Sequence, residues 1–230
     1  MKIHGFQKIT LLDYPGKVAC TVFTAGCNLR CPFCHNAFLV TEINPSDGLE
    51  RTELLAYMKK RRAVLDGVCI TGGEPLLYAD TLDFIKEIKA VGLSVKLDTN
   101  GTFPGRLKEV IDSGMVDYIA MDIKNAPGKY PLTVGMAEFD VSPILESIGL
   151  IRASKVPHEF RTTVVKEFHR AEDFAETGRL IAGKEHYFLQ NFVDSGNLIS
   201  DGLHGVTPDE MRRFAAEAGK YVSDVEIRGV

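Results

Sequence analysis

The feature that most constrains the fold is a regular alternation of short apolar segments with amphipathic helical segments. Strands are predicted where β-branched and other apolar residues cluster between turn residues, and helices where apolar residues recur every three or four positions. One helix is predicted to begin at Thr207-Pro208-Asp209-Glu210, a capping box with proline at the first helical position. Strands that alternate with helices predict β-α units around a parallel sheet with right-handed crossovers. The predicted strands span residues 18–24, 67–71, 93–97, 116–121, 159–165 and 186–190, with a peripheral further strand at 225–228.

The number of β-α units limits how far such a sheet can close. Six units are too few for the closed barrel of eight strands. The sequence therefore predicts an open, partial barrel of the α/β class in a single domain at residues 1–230. Function in parallel β/α folds lies at the carboxyl ends of the strands. The predicted strand ends carry residues that are unusual in a core: Gly72-Gly73-Glu74, Asp98-Thr99-Asn100, Asp122 with Lys124, Arg161 with Lys166, and Gln190-Asn191.

The composition excludes several classes of protein. The chain has 230 residues, of which 45% are hydrophobic and 25% charged, as in a globular domain. It contains no apolar run of the roughly 20 residues that cross a membrane and no secretory signal at its start. We therefore expect a cytoplasmic protein with reduced thiols and no membrane partner. The net charge of -4 gives no basic surface for nucleic acid, and the run Lys59-Lys60-Arg61-Arg62 is interpreted as a solvated helix face.

Three of the five cysteines lie in one loop, at Cys27, Cys31 and Cys34. This density of thiols indicates a metal, a haem or a disulfide. A structural zinc site usually takes two pairs of ligands, and the chain has no second pair. The sequence Cys31-Pro32-Phe33-Cys34-His35 matches the haem attachment signature, but haem attachment would leave Cys27 unused. Iron-sulfur clusters usually have four thiolate ligands, so a cubane cluster with three leaves one iron open for a substrate or cofactor.

The cysteine loop carries a resemblance to a known superfamily. The segment from Cys27 to Cys34, with the aromatic Phe33 before the last cysteine, resembles the signature of the radical S-adenosylmethionine (radical SAM) enzymes. With Asp13-Tyr14-Pro15-Gly16 upstream, it is similar to the activating enzymes of glycyl-radical enzymes. The start of the chain, from Gly5 to Gly16, most resembles the longer activating proteins of anaerobic ribonucleoside-triphosphate reductase.

The resemblance implies a fold, two cofactors and a reaction. It implies a partial (β/α)6 barrel that binds a [4Fe-4S] cluster through Cys27, Cys31 and Cys34. The enzyme would be an oxidoreductase that reductively cleaves S-adenosylmethionine and generates a glycyl radical on the reductase, with a flavodoxin- or ferredoxin-type protein as reductant. Three alternatives stay open: activation of pyruvate formate-lyase or another glycyl-radical enzyme, radical SAM chemistry on a small molecule, and a plain iron-sulfur electron carrier.

The same resemblance assigns cofactor contacts to the strand ends. Gly72, Gly73 and Glu74 resemble the motif that binds the amino group of S-adenosylmethionine, and Asp98 and Asp122 match positions that contact its ribose and amino groups. The expected cofactor contacts are Phe33, Gly72, Gly73, Glu74, Asp98, Thr99, Asp122, Lys124, Arg161 and Gln190. No protein acid-base pair is needed, so no catalytic residue is predicted beyond the cluster and the cofactor.

Three assignments stay open at the level of the residues. Asp98 and Asp122 could together hold a hard cation through their oxygens. Arg161 and Gln190 could equally be buried strand residues that neighbouring loops satisfy. Residues 192–206 lack periodicity and are interpreted either as a loop that faces a partner or as a disordered connection.

Overall fold

The computed structural model describes residues 1–44 and 47–229. Its strands form one eight-stranded sheet in which each strand pairs with the next along the chain. The strands are β1 (Ile3–Thr10), β2 (Ala19–Thr24), β3 (Gly67–Gly72), β4 (Ser94–Thr99), β5 (Tyr118–Asp122), β6 (His158–Val164), β7 (Gly183–Asn191) and β8 (Val222–Arg228). The α-helices are α1 (Arg51–Arg61), α2 (Thr81–Val91), α3 (Pro104–Asp112), α4 (Tyr130–Thr133), α5 (Ser142–Ala153), α6 (Ala171–Leu180) and α7 (Pro208–Ala218).

The pairing confirms the predicted parallel sheet. Strands β2 to β8 run parallel to one another. Because β2 to β8 are parallel, all their carboxyl ends lie at the same end of the sheet. The strand predicted at 225–228 is β8, which begins at Val222 and pairs with β7 at the edge of the sheet.

The prediction that residues 18–24 form the first strand is wrong. Strand β1 precedes it and pairs antiparallel with β2, with register shifts between Ile3 and Gly5 and between Gln7 and Thr10. Each such irregularity interrupts the strict alternation of inward and outward residues. The apolar residues of β1 therefore do not show the period of two by which a strand is recognised in a sequence.

The helices begin and end at capping residues and pack through apolar faces, and both features can be recognised in the sequence. Thr207 and Glu210 form the predicted reciprocal capping box at the start of α7. Helix α2 ends at Gly92, whose φ of 89° lies in the left-handed region that favours glycine. Phe84, Ile85 and Ile88 of α2 are fully buried. Within the described residues, no helix has the length and apolar content to cross a membrane.

The loop between β1 and β2 closes the end of the barrel where the strands begin. The ring of Tyr14 is buried, and its centroid lies 6.1 Å from that of Tyr118 at the start of β5. A Cβ atom on Gly67, the first residue of β3, would lie 2.9 Å from the Tyr14 ring. The ring of Tyr14 therefore packs into the amino end of the barrel, and the carboxyl end is left for a site.

Candidate active site

A cavity of about 280 Å³ lies at the carboxyl ends of the strands. Its volume is near the lower end of the range for ligand pockets, roughly 300 Å³. The structure brings every predicted site residue except Glu74 to this cavity. The predicted residues that line it are Cys27, Cys31, Phe33, Cys34, Gly72, Gly73, Asp98, Thr99, Asp122, Lys124, Arg161 and Gln190.

The cysteine loop forms one wall of the cavity. Cys31 is buried, Cys27 and Cys34 are half-buried, and all three are free thiols. The backbone N–H of Arg30 donates to the carbonyl of Val134 at 3.0 Å, which fixes the loop against the segment after α4. Burial raises the pKa of the Cys27 thiol to about 12 and that of Cys31 to about 11. These thiols are therefore protonated at neutral pH and would release protons when they bind iron.

The three thiols fit a cluster better than a single metal ion. Among residues 1–44 and 47–229, no three His, Cys, Asp or Glu side chains converge closely enough to hold one ion. A zinc site requires all its ligands around one centre. The cysteine ligands of a cubane cluster bind different iron atoms and can stand further apart. The donor set of three thiols on one cavity wall thus suits the iron-sulfur chemistry that the sequence indicated.

Gly72 and Gly73 let the end of β3 approach the cysteine loop. A Cβ atom on Gly73 would lie 2.0 Å from the carbonyl oxygen of Gly26, and one on Gly72 would lie 2.4 Å from the backbone nitrogen of Thr24. Gly72 also has a φ of 112°, which L side chains rarely adopt. Both glycines line the cavity, so the backbone itself forms this part of its wall.

The expected cofactor contact of Glu74 is not supported, because its carboxylate does not line the cavity. One carboxylate oxygen accepts from the N–H of Leu76 and the hydroxyl of Thr99, both at 2.9 Å, and the other accepts from the N–H of Asn100 at 2.7 Å. Burial nevertheless raises the pKa of Glu74 to about 7. The side chain joins the end of β3 to the end of β4, and only its neighbours reach the cavity.

Four charged side chains form another part of the cavity wall. The guanidinium of Arg161 donates to Asp98 Oδ2 from both terminal nitrogens at 3.2 Å and to Asp122 Oδ1 from Nε at 2.9 Å. Lys124 Nζ donates to Asp122 Oδ2 at 2.9 Å. Burial opposes ionisation of both aspartates, but the nearby cations outweigh it, so both pKa values lie below the ordinary value.

This arrangement bears on the cation considered near Asp98 and Asp122. Arg161 lies between the two carboxylates, while Lys96 and Lys124 neutralise their remaining oxygens. Protein side chains therefore supply the positive charge that a bound cation would bring. The geometry gives no support to a metal ion at this position.

Sequence reasoning missed several residues that complete the site. The amide of Asn100 donates to Cys27 Sγ at 3.6 Å, and that of Asn36 donates to the carbonyl of Gly72 at 3.1 Å. The position of Asn100 just after a strand end was a usable signal, because the neighbouring Asp98 and Thr99 were selected on that ground. Asn36 lies in an irregular loop and gave no such signal.

The segment 192–206 lies against the cysteine loop. The ring of His35 stacks on Phe192 with centroids 5.3 Å apart, and its Nε2 lies 2.8 Å from the carbonyl of Val193. The backbone N–H of Ser200 donates to the carbonyl of Pro32 at 3.0 Å. These contacts favour the loop interpretation over the disordered one, while the contact with a partner stays a prediction.

The fold and this site define a class of protein. The sequence profile of the radical SAM superfamily matches residues 21–181, and the chain belongs to that superfamily. The crystal structure of Streptococcus suis SuiB bound to the precursor peptide SuiA superposes with a TM-score of 0.71 at 13% identity, over 91% of this chain and 48% of SuiB. That likeness shows the fold and confirms the predicted partial barrel.

Relatives narrow the class further. A protein of Methanocaldococcus jannaschii that is named for glycyl-radical enzyme activation is 31% identical over 99% of this chain and 96% of its own length. The pyruvate formate-lyase-activating enzyme of Listeria monocytogenes is 30% identical over 71% of this chain and 68% of its own. Within the superfamily, the chain thus groups with the activating enzymes of glycyl-radical enzymes. This superfamily implies S-adenosylmethionine and a [4Fe-4S] cluster as cofactors.

Proposed function

We propose that this chain binds a [4Fe-4S] cluster through Cys27, Cys31 and Cys34 and cleaves S-adenosylmethionine reductively at it. The product of this chemistry would be a glycyl radical on an anaerobic ribonucleoside-triphosphate reductase. The observation that carries the proposal is the shared cavity, which the three cysteines line together with the polar strand ends. When bound, the cluster and S-adenosylmethionine supply the one-electron chemistry, and the protein supplies their positions.

The remaining wall residues suit the polar groups of S-adenosylmethionine. Each oxygen of Asp122 accepts from one protein cation, Oδ2 from Lys124 and Oδ1 from Arg161. A carboxylate oxygen has two lone pairs, so one lone pair per oxygen of Asp122 stays available for a hydroxyl or ammonium group. Asp98 Oδ2 already accepts from both terminal nitrogens of Arg161. Lys124 and Arg161 bring donors for a carboxylate. Gln190 adds an amide that can donate or accept.

The choice of the reductase as partner rests on the resemblance of residues 5–16 to its activating proteins. A second partner, pyruvate formate-lyase, is supported by a relative of this chain. The Listeria monocytogenes relative is matched over 68% of its own length, and it is named as an activating enzyme of pyruvate formate-lyase. Activation of pyruvate formate-lyase is therefore the second candidate function. Both candidates need the same cluster and cofactor and differ only in the protein that supplies the glycine. A flavodoxin- or ferredoxin-type protein is the proposed reductant in either case.

The cluster assignment is tested by replacing one cysteine on the cavity wall. We expect the anaerobically reconstituted, reduced protein to form 5′-deoxyadenosine and methionine, and Cys31→Ala to lose this activity because the cluster loses a ligand. The matched control is Cys20→Ala, since Cys20 is a buried thiol of β2 that does not line the cavity. Circular dichroism would verify that both variants fold. Cofactor cleavage at the unmodified rate in Cys31→Ala would overturn the proposal.

A further inference from the structure

A second layer of charged side chains lies behind the charged wall of the cavity. Side chains alternate along a strand, so Lys96 faces the same side of β4 as Asp98, and Glu159 faces the same side of β6 as Arg161. The side chains of Lys96 and Glu159 are each only 2% exposed, and neither lines the cavity. Lysine and glutamate are almost never fully buried unless they are paired.

Glu159 has three partners around its carboxylate. The hydroxyl of Tyr118 donates to Oε2 at 3.1 Å. A terminal nitrogen of Arg161 lies 3.8 Å from Oε1, and one of Arg228 lies 3.7 Å from Oε2. The guanidinium of Arg228 in turn covers the ring of Phe188, 3.4 Å from its centroid. Arg228, the last residue of the edge strand β8, thus holds the Glu159 carboxylate from that edge of the barrel.

These contacts fix the orientation of Arg161. A guanidinium is planar and carries five N–H donors in fixed directions. Asp98 and Asp122 attract it from the cavity side, and Glu159 attracts it from behind. Opposed attractions hold the guanidinium plane in place, and the plane decides which lone pair of Asp122 Oδ1 remains free to face a ligand.

We propose that Glu159 is a positioning residue for the cofactor site, with Arg228 as its support. It acts through Arg161, which it keeps between Asp98 and Asp122 so that both carboxylates are oriented before S-adenosylmethionine binds. This inference rests on the proposed function, because it assigns the cofactor to the wall that these residues form.

The test is the affinity for S-adenosylmethionine of the Glu159→Gln variant. Glutamine keeps the shape and an acceptor for Tyr118 but removes the charge that attracts Arg161. Titration calorimetry on the protein with an oxidised cluster measures binding without turnover. We expect the Kd to rise roughly tenfold, as is typical when residues behind a site are changed. At saturating cofactor, kcat for cleavage should stay within about twofold of the unmodified enzyme.

The matched control is Glu185→Gln. Glu185 is also a mostly buried glutamate of this sheet region, and it pairs with His158 and Arg152 rather than with Arg161. Loss of this pair should lower thermal stability but leave the Kd unchanged. The comparison separates a positioning role from a general loss of stability.

A milder variant covers the case in which Glu159→Gln does not fold. Arg228 is 43% exposed, and Arg228→Met retains packing on Phe188 while removing the charge next to Glu159. It should raise the Kd by only about threefold, because a charge pair with a partly exposed partner is weak. An unchanged Kd in a folded Glu159→Gln variant, or in Arg228→Met if the first does not fold, would overturn the inference. Failure of the unmodified protein to bind S-adenosylmethionine would instead refute the proposed function, and the inference would fall with it.

Discussion

The buried carboxyl of Glu74 shows how one residue can hold strand ends together without lining the cavity between them. Its three donors come from the ends of β3 and β4, at Leu76, Thr99 and Asn100. Asn100 then reaches Cys27, and Thr99 lines the cavity. The resemblance assigned Glu74 to the cofactor because it follows Gly73 in the motif. A cofactor contact and a link between strand ends differ in the direction of the Glu74 side chain, which the sequence does not show.

The raised pKa of Glu74 predicts a specific dependence of stability on pH. Because the pKa is about 7 in the folded protein and about 4.3 in the unfolded chain, folding favours the protonated form. The resulting contribution to stability is complete below about pH 4 and is lost as the pH rises through 7. Its full size is about 4 kcal/mol from the difference in pKa.

The Glu74→Gln variant tests this linkage, because glutamine does not titrate. We expect the free energy of unfolding of the unmodified apoprotein, minus that of the variant, to fall by up to about 3 kcal/mol between pH 5 and pH 8. Denaturant titrations at several pH values measure it. Parallel curves for the two proteins would show that the carboxyl is ionised throughout, with its three donors outweighing burial.

At the scale of elements, the strand ends of the barrel meet through glycine backbone. The predicted function of Gly72 and Gly73 was contact with a ligand. The structure adds a packing reason, since β3 can approach Gly26 and the cysteine loop only where no Cβ intervenes. A substitution here would therefore disturb the fold and the cavity together.

Gly73→Ala should separate β3 from the start of the cysteine loop. The added Cβ would lie 2.0 Å from a backbone oxygen, which cannot move as a flexible side chain could. We expect a loss of about 3 kcal/mol in the free energy of unfolding, in the range of overpacked sites. The iron content after reconstitution should fall as well.

Gly149→Ala is the matched control for this substitution. Gly149 lies within α5, and a Cβ there meets no atom of residues 1–44 and 47–229 within 4 Å. Alanine at this helical position should stabilise the protein by about 0.5–1 kcal/mol and leave the iron content unchanged. Equal stability in the two alanine variants would refute the close approach at Gly73.

The elements differ in how well the sequence predicted them, and the reason is periodicity. Strands β2 to β7 contain short apolar runs between turns, and β2 to β8 all lie within about three residues of the predicted positions. Strand β1 was missed because its register shifts break the alternation. Helix α4 was missed because four residues, Tyr130–Thr133, are too few to show a helical period.

At the scale of the whole molecule, the two ends of the barrel have different contents. The amino end is filled by the loop that contains Tyr14, whereas the carboxyl end is left to the cavity. Parallel strands bring residues that are distant in sequence to this end, from Cys27 to Gln190. The sequence could predict this convergence, because it needs only the order and direction of the strands.

The sequence could not predict how charges are distributed within the barrel. From the sequence, Arg161 could equally be a buried strand residue with hydrogen-bond partners or a cofactor contact. The sequence predicted no role for Lys96 or Glu159. Their pairing depends on which strand lies beside which and on the inward face of each. The cation considered near Asp98 could not be judged from the sequence for the same reason. The side chains that neutralise Asp98 are Arg161 of a different strand and Lys96 two residues earlier on the same strand.

The central claim, that this chain makes a glycyl radical on the reductase, is tested most directly by electron paramagnetic resonance. The reconstituted, reduced protein would be mixed with S-adenosylmethionine and, in separate samples, with the anaerobic ribonucleotide reductase and the pyruvate formate-lyase of the same genome. We expect a glycyl-radical doublet on the reductase that disappears when its radical-bearing glycine is replaced. A doublet on pyruvate formate-lyase alone would contradict the assigned partner, and no doublet on either protein would contradict both candidate functions of this chain.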